Sequence, residues 1–214
     1  SHLHTAADRL KDVTISTCLP MGEYPCFNDR QYRHAFLHDS WFYSPSTRKA
    51  HAFGATAYVP NNLHFAATKR LYHKKPSLYI GAAAMPDRHG IISLSCSNTY
   101  EMQMIAAADK VILEINPNYP RTFGDAFLRV EEVDHLIEVD YPVPALPDIE
   151  PSEKDRVIGS LVAPYIKDGD CIQLGIGGMP NAIADTLFDK KDLGVHTEML
   201  TTNMMKLFQA GAVS

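Results

Sequence analysis

The sequence has little that would mark a membrane, secreted or disulfide-stabilised protein. Its longest apolar runs, such as residues 78–85, are far shorter than the ~20 residues that a membrane-spanning helix needs. Its first residues, Ser-His-Leu-His-Thr, lack the basic and then apolar pattern of a secretory leader. The four cysteines are too few for a disulfide framework in 214 residues, and no two have C-x-x-C spacing. We therefore expect reduced cysteines in a cytoplasmic protein.

An excess of positive charge is also absent. The 20 Lys+Arg are outnumbered by 25 Asp+Glu, so the chain lacks the basic footprint of proteins that bind nucleic acid or anionic membranes. Hydrophobic residues make up 45% of the chain, which is enough to bury a core. At ~100–200 residues per domain, the length fits one large domain or two small ones.

Four prolines fall close together in the second half of the chain, at Pro142, Pro144, Pro147 and Pro151. Proline removes a backbone donor and fixes φ, so this segment cannot form a helix or a central strand. We predict a linker over residues 142–151, between a first domain over residues 1–141 and a second over residues 152–214.

Before this linker, apolar or alternating runs predict strands at residues 13–19, 78–84, 91–96, 110–116 and 136–139. A helix is predicted over residues 100–108, with Asn98 as its N-cap and Glu101 in its first turn.

After the linker, Ser152 and Asp155 have the spacing of a capping box, which predicts a helix that Pro164 kinks or ends. The remaining pattern predicts a strand, a glycine-rich loop, a helix and a second strand, at residues 171–174, 175–180, 181–188 and 195–200. Such a unit places its two strands parallel, and the fold class is α/β.

The glycine-rich loop is the most informative stretch. A strand that runs into Gly175, Gly177 and Gly178 and then a helix can direct backbone N–H groups at an anion. Pro180 stands in place of the third glycine of a dinucleotide fingerprint, and no lysine follows as in a phosphate-binding P-loop. A plain strand-to-helix turn and an anion-binding loop both remain open at this stage.

A second candidate site lies near the end of the chain. On a strand over residues 195–200, His196 and Glu198 would share one face. The carboxylate would then lie beside the glycine loop, at the edge of the sheet where open α/β proteins bind ligands. The alternative is that Glu198 caps the helix that begins near Thr201.

Three further groups carry weaker signals. His34 and His38 would share a helix face, but no carboxylate or thiol at ligand spacing completes a metal site, so no metal is predicted. Residues 87–89 lie in a predicted turn, where a structural role is favoured over catalysis. Residues 43–48 supply hydroxyls and a guanidinium for either an anionic ligand or the loop's own backbone.

Several motifs together resemble the acetyl-CoA hydrolase/transferase family, above all its 4-hydroxybutyrate and butyryl-CoA:acetate CoA-transferases. The two most specific are Gln-Leu-Gly-Ile-Gly-Gly-Met-Pro at residues 173–180 and Leu-Gly-Val-His-Thr-Glu-Met at residues 193–199. The resemblance continues upstream through residues 43–49, 85–90 and 121–125.

The resemblance implies two CoA-transferase-type (NagB/RpiA-like) open α/β domains, the first without its opening strand and the second truncated. It also implies that Glu198 is the catalytic residue, which becomes a glutamyl-CoA thioester. The family's coenzyme A contacts fall on Gly175, Ile176, Gly177, Gly178 and Met179. Acyl-CoA and a carboxylic acid are the expected substrates, with no permanently bound cofactor, and a homodimer is the expected assembly.

The expected activity is therefore ping-pong CoA transfer between an acyl-CoA and a small carboxylic acid. An acyl-CoA hydrolase of the same family is the first alternative, and it differs in whether water reaches the glutamyl thioester. A non-catalytic CoA-binding fragment is the second, because family members are about twice as long. A nucleotide-binding oxidoreductase is disfavoured by Pro180.

Overall fold

The computed structural model describes residues 2–214, and the chain divides into two compact units, Ser1–Pro144 and Ala145–Ser214. The division falls inside the proline-rich segment. None of the helices within the described residues has the length and apolar character needed to cross a membrane.

The first unit contains eight strands and four α-helices among its described residues. The strands are β1 Val13–Thr17, β2 Phe36–Ser40, β3 Thr56–Tyr58, β4 Tyr79–Ala84, β5 Ile91–Ser93, β6 Val111–Asn116, β7 Phe127–Arg129 and β8 His135–Glu138. The α-helices are α1 Pro25–Asn28, α2 Pro45–Ala52, α3 Ala66–His73 and α4 Glu101–Ala107. A 3₁₀ helix, Leu3–Arg9, precedes β1.

Two separate three-stranded parallel sheets organise this unit. One has the order β1-β2-β3 and the other the order β4-β6-β8, while β5 and β7 form an antiparallel pair. Buried apolar residues such as Ile92, Leu94 and Leu113 form the core around the second sheet. A smaller cluster that includes Phe27 and Phe36 lies against the first. The open sheets confirm the predicted α/β class.

The second unit contains α5 Glu153–Val162, β9 Cys171–Ile172, α6 Gly178–Asp185, β10 Gly194–Val195 and α7 Thr202–Gln209. Strands β9 and β10 are parallel, as the β-α-β pattern predicts. The capping box of Ser152 and Asp155 is confirmed, and α5 ends at Val162, where a short 3₁₀ turn that contains Pro164 begins. Fully buried leucines such as Leu187 and Leu207 form the core.

The predicted cap of α4 is wrong. The helix begins at Glu101, its N-cap is Tyr100, and Asn98 makes no capping hydrogen bond. The Glu101 carboxylate instead accepts the N–H of Tyr100 at 2.8 Å. A first-turn carboxylate therefore takes over the role that the sequence assigns to Asn98.

The two histidines of the weak metal signal do not share a helix face. His34 ends a 3₁₀ turn, whereas His38 lies on β2 and is almost fully buried. Its ring stacks on Phe27 at 3.8 Å and makes hydrogen bonds with the hydroxyls of Thr17 and Thr56 at 3.0 and 2.8 Å. His38 is thus a satisfied core histidine.

This burial makes the stability of the protein pH-dependent. Burial lowers the pKa of His38 from its ordinary 6.5 to about 4, against a smaller opposing effect of Asp39. The unfolded chain binds a proton below pH 6.5 and the folded chain only near pH 4, so the free energy of unfolding falls as the pH is lowered through this range. We expect a loss of about 3 kcal/mol from this group, measured as the difference between wild type and His38→Gln in urea unfolding. The exposed His34→Gln is the control and should keep the pH slope of wild type. A His38→Gln variant whose pH slope equals that of wild type would contradict the assignment.

Candidate active site

The parallel strands of the second unit bring two loops together. Beyond the end of β10, the N–H of His196 donates to the carbonyl of Ile172 at 3.1 Å. The hydroxyl of Thr197 then donates to the carbonyl of Leu174 at 3.4 Å. The segment that carries Glu198 therefore runs beside the first residues of the glycine loop.

The glycine loop leads directly into helix α6. This helix begins at Gly178, three residues earlier than predicted, and its first intrahelical N–H donor is that of Asn181, which bonds Gly177. Pro180 has no N–H, so Gly178 and Met179 supply the N–H groups that the helix itself leaves without an acceptor. Two backbone donors and the positive end of the helix dipole therefore lie at this helix start, which suits an anion.

The requirement for glycine at position 178 has a packing cause. A Cβ atom added there would lie 2.7 Å from a carboxylate oxygen of Asp155. That oxygen accepts hydrogen bonds from the N–H and the hydroxyl of Ser152 at 2.8 and 2.7 Å, and these bonds lower the pKa of the Asp155 carboxyl. The capping box of α5 therefore packs closely against the first residue of α6.

Glu198 lies in a bend and is exposed, with no hydrogen bond or ion pair to its carboxylate from any residue in the range 2–214. The predicted strand over residues 195–200 is wrong in extent, because β10 ends at Val195. The Thr197 hydroxyl also reaches the carbonyl of Met199 at 3.2 Å, which is a local turn contact rather than a strand pairing. His196 and Glu198 therefore do not share a strand face.

The capping alternative for Glu198 is also wrong. Thr201 is the N-cap of α7, and its hydroxyl accepts the N–H of Met204 at 3.4 Å. The Glu198 carboxylate is consequently free of a structural role within the described residues.

Two buried asparagines that sequence reasoning missed fix the helices behind this site. The amide of Asn203 donates to the carbonyl of Asn181 and to the carboxylate of Asp185, both at 3.2 Å. The amide of Asn181 donates to the carbonyl of Ile149 at 2.9 Å. Asn181 lies in an otherwise apolar stretch, residues 178–184, and this is the signal that would have indicated a buried, hydrogen-bonded position.

The weaker candidate groups of the first unit have structural roles. The Asp87 carboxylate accepts the N–H groups of His89 and Ile91 at 2.8 and 2.9 Å and pairs with Arg121 at 3.0 Å. This confirms the predicted turn. Ser44 caps α2. Within the described residues, no group of three His, Cys, Asp or Glu side chains is placed to hold a metal ion.

Two neighbouring glycines of the loop provide a matched test of its backbone. Gly177 has φ 123° and ψ 175°, a conformation that residues with a side chain rarely adopt, whereas Gly175 has no positive φ and room for a Cβ. We expect Gly177→Ala to lower the free energy of unfolding by about 1–3 kcal/mol, and Gly175→Ala to stay within about 0.5 kcal/mol of wild type. Equal values in urea unfolding would show that the loop relaxes without strain.

Comparison with known proteins assigns the chain to a family. The N-terminal domain model of the acetyl-CoA hydrolase/transferase family matches residues 2–147. The chain is 40% identical over 179 residues to a succinyl-CoA:cyclohexane-1-carboxylate CoA transferase from Geobacter metallireducens, which covers 82% of this chain and 40% of the relative. It is 34% identical over 207 residues to the 4-hydroxybutyrate coenzyme A transferase of Clostridium kluyveri, which covers 95% of this chain and 47% of the relative.

The fold agrees with these matches. The crystal structure of RipA from Yersinia pestis superposes with a TM-score of 0.88 at 26% identity, over 99% of this chain and 52% of that chain. The chain therefore spans about half the length of the proteins it matches. On the strength of the family match over residues 2–147, the chain belongs to the acetyl-CoA hydrolase/transferase family.

Proposed function

We propose that the protein is a CoA-transferase that moves coenzyme A between an acyl-CoA and a small carboxylic acid, with Glu198 as the nucleophile. The observation that carries this proposal is the parallel strand pair, which sets an exposed carboxylate without a hydrogen-bond partner beside a glycine loop and a helix start. The CoA-transferase names of the relatives support the same reaction class.

The reaction begins with attack of the Glu198 carboxylate on the thioester carbonyl of the acyl-CoA. The C–S bond breaks, which gives an acyl-glutamyl anhydride and free CoA thiolate. The thiolate attacks the glutamyl carbonyl, forms glutamyl-CoA and releases the first acid as its carboxylate. A second carboxylate attacks the glutamyl thioester and expels the thiolate, which then attacks the acyl carbonyl of the new anhydride and regenerates Glu198.

Each addition builds negative charge on a carbonyl oxygen. The N–H groups of Gly178 and Met179, at the start of α6, are donors of the kind that stabilise such an oxyanion. The proposed coenzyme A contacts lie in the same stretch, at Gly175, Ile176, Gly177, Gly178 and Met179. The side chains of Ile176 and Met179 are exposed, which leaves apolar surface for the thiol-bearing arm of the ligand.

Hydrolysis of acyl-CoA is the second candidate, and the exposure of Glu198 favours it. Water that reaches a glutamyl thioester converts a transferase into a hydrolase, because it competes with the second carboxylate. Acetate-dependent exchange of CoA compared with release of free CoA separates the two activities.

The proposal also covers the cellular location and the oligomeric state of the protein. We infer a cytoplasmic location, since the reaction joins water-soluble metabolites and the four cysteines have no disulfide-type spacing. The homodimer is carried over from the family resemblance. Size-exclusion chromatography with light scattering tests the dimer.

The decisive experiment is to trap the intermediate. The protein is incubated with an acyl-CoA, treated with borohydride or hydroxylamine, digested, and mapped by mass spectrometry. The proposal predicts a modified peptide that contains Glu198. An unmodified Glu198 peptide from folded protein that binds coenzyme A would leave a non-catalytic CoA-binding role and overturn the proposal.

A further inference from the structure

Charge is unevenly distributed along this chain. Residues 40–86 contain no Asp or Glu and carry six Lys or Arg, namely Arg48, Lys49, Lys69, Arg70, Lys74 and Lys75. Residues 130–153 contain eight Asp or Glu and no Lys or Arg. Because every copy of the protein carries both segments, opposite charges on different copies attract each other.

The basic segment presents a shallow groove on helix α3. Its lining residues are Phe65, Thr68, Lys69, Tyr72 and His73. Their spacing of three and four residues places them on one face of the helix. The Tyr72 side chain is 87% exposed and that of Phe65 is 38% exposed, so two aromatic rings of the groove are open to solvent.

The ammonium group of Lys69 gives this groove a positive charge. Its Nζ atom lies 5.1 Å from the centroid of the Phe65 ring, which is a cation–π contact. No carboxylate of residues 2–214 forms an ion pair with it. Arg70, the next residue, is instead paired with Asp39 at 3.1 Å. The groove therefore combines exposed aromatic rings with a cation that is open to an acidic partner.

The acidic segment contains a peptide of complementary chemistry. Pro144 and Pro147 have P-x-x-P spacing, and Asp148 follows directly. Residues 144–148 are all exposed, lie outside helices and strands, and make no hydrogen bond with any described residue. The apolar side chain of Leu146 is 56% exposed. Exposed proline-rich peptides of this kind bind grooves that are lined by aromatic side chains.

We propose that residues 144–150 of one copy bind the α3 groove of a second copy, with the carboxylate of Asp148 against the ammonium group of Lys69. Because the copies are identical, each supplies one peptide and one groove, and two equivalent contacts close a two-fold dimer. The inference rests on the homodimer of the proposed function and names its contact surfaces. It does not depend on the chemistry of Glu198.

The dimensions of the two surfaces agree. Phe65 and Tyr72 are seven residues apart, which is about 10.5 Å along a helix. Pro144 and Pro147 are three residues apart, which is about 9 Å along a polyproline II helix. The two proline rings can therefore lie on the two aromatic rings at the same time, with the acidic end of the peptide beyond them.

Zero-length crosslinking of isotope-mixed protein tests this contact. Unlabelled and ¹⁵N-labelled proteins are mixed until native mass spectrometry shows mixed dimers. A carbodiimide then joins carboxylates to the amines that they touch, and mass spectrometry of the digest identifies the linked peptides. We expect an amide between Asp148 and Lys69 that joins a labelled to an unlabelled peptide. Its yield should fall severalfold between about 0.05 M and about 0.5 M salt, because salt screens exposed charges.

Charge reversal and ring removal complete the test, with sedimentation equilibrium as the measurement. Lys69→Glu should raise the dissociation constant of the dimer about tenfold, and Asp148→Lys in the same chain should restore it. The exposed Lys11→Glu is the control for charge and should have no effect. Tyr72→Ala should raise the constant about tenfold as well. Tyr165→Ala, at a residue that is 83% exposed, is its matched control.

Three results would overturn the inference. Crosslinks confined to peptides of the same label would show that the segment binds the groove of its own chain. A dimer that gives no such crosslink and keeps its affinity in Lys69→Glu would place the interface elsewhere, while the proposed homodimer would stand. A protein that is monomeric at every concentration would remove the homodimer as well, and the trapping of Glu198 would still decide the activity separately.

Discussion

Replacement of Glu198 by glutamine is expected to abolish transfer of CoA, with a fall in turnover on the order of 10⁴-fold or more. An amide has no anionic oxygen to attack a thioester, so neither the anhydride nor the glutamyl thioester can form. Glu198→Asp keeps the charge but withdraws the carboxylate by one methylene, and a displacement of that size costs about 10²-fold. Steady-state CoA exchange and borohydride trapping measure both losses.

The structure makes this substitution an unusually clean test. Glu198 is exposed and has no hydrogen-bond or salt-bridge partner among residues 2–214, so the variant should unfold at the wild-type urea concentration. The exposed Glu153, in the first turn of α5, provides the matched change Glu153→Gln. Activity that survives in Glu198→Gln, with normal folding, would remove this residue from the mechanism.

The sequence predicts well those features that local chemistry determines. Strands β4 and β6 fall where apolar runs indicate them, and β1 falls where apolar and polar residues alternate, because a strand that packs on one or both faces needs such a pattern whatever surrounds it. The capping box of Ser152 and Asp155 is equally local, since three residues of spacing suffice to form it.

Prediction fails where tertiary contacts decide the outcome. Helix α6 begins at Gly178 rather than Asn181, in a place where Asp155 from another helix packs against its first residue. Strand β10 ends at Val195, and the Thr197 hydroxyl beyond it bonds the carbonyls of Leu174 and Met199. No pattern in a single sequence contains these contacts.

In the candidate site too, local features could be predicted from the sequence and tertiary contacts could not. The pairing of a glycine loop with a following glutamate could be predicted, because parallel β-α-β strands end at the same edge of a sheet. That Glu198 has no competing partner could not be predicted, because this depends on Thr201, and not Glu198, being the N-cap of α7. This freedom of the carboxylate is what distinguishes a candidate nucleophile from a capping residue.

Substitution of Gly159 by alanine is expected to destabilise the second unit by about 1–3 kcal/mol. Gly159 is buried in α5, and an added Cβ would lie 2.8 Å from the carbonyl oxygen and 3.0 Å from the carbonyl carbon of Ala182 in α6. Helix propensity alone predicts the opposite sign, because alanine is favoured over glycine by about 1 kcal/mol within a helix. The sign of the change in urea unfolding therefore decides whether close contact between the two helices or local propensity dominates.

The exposed neighbour Ser160→Ala is the control on the same helix, and it should stay within about 0.5 kcal/mol of wild type. The effect should also reach the site, because α6 carries the N–H groups of Gly178 and Met179 at its start. If α6 shifts to relieve the contact, these donors move with it, and the yield of trapped Glu198 thioester should fall in Gly159→Ala but not in Ser160→Ala. A stabilised Gly159→Ala with full trapping would mean that the helices separate without cost, and that the position of α6 does not govern the chemistry.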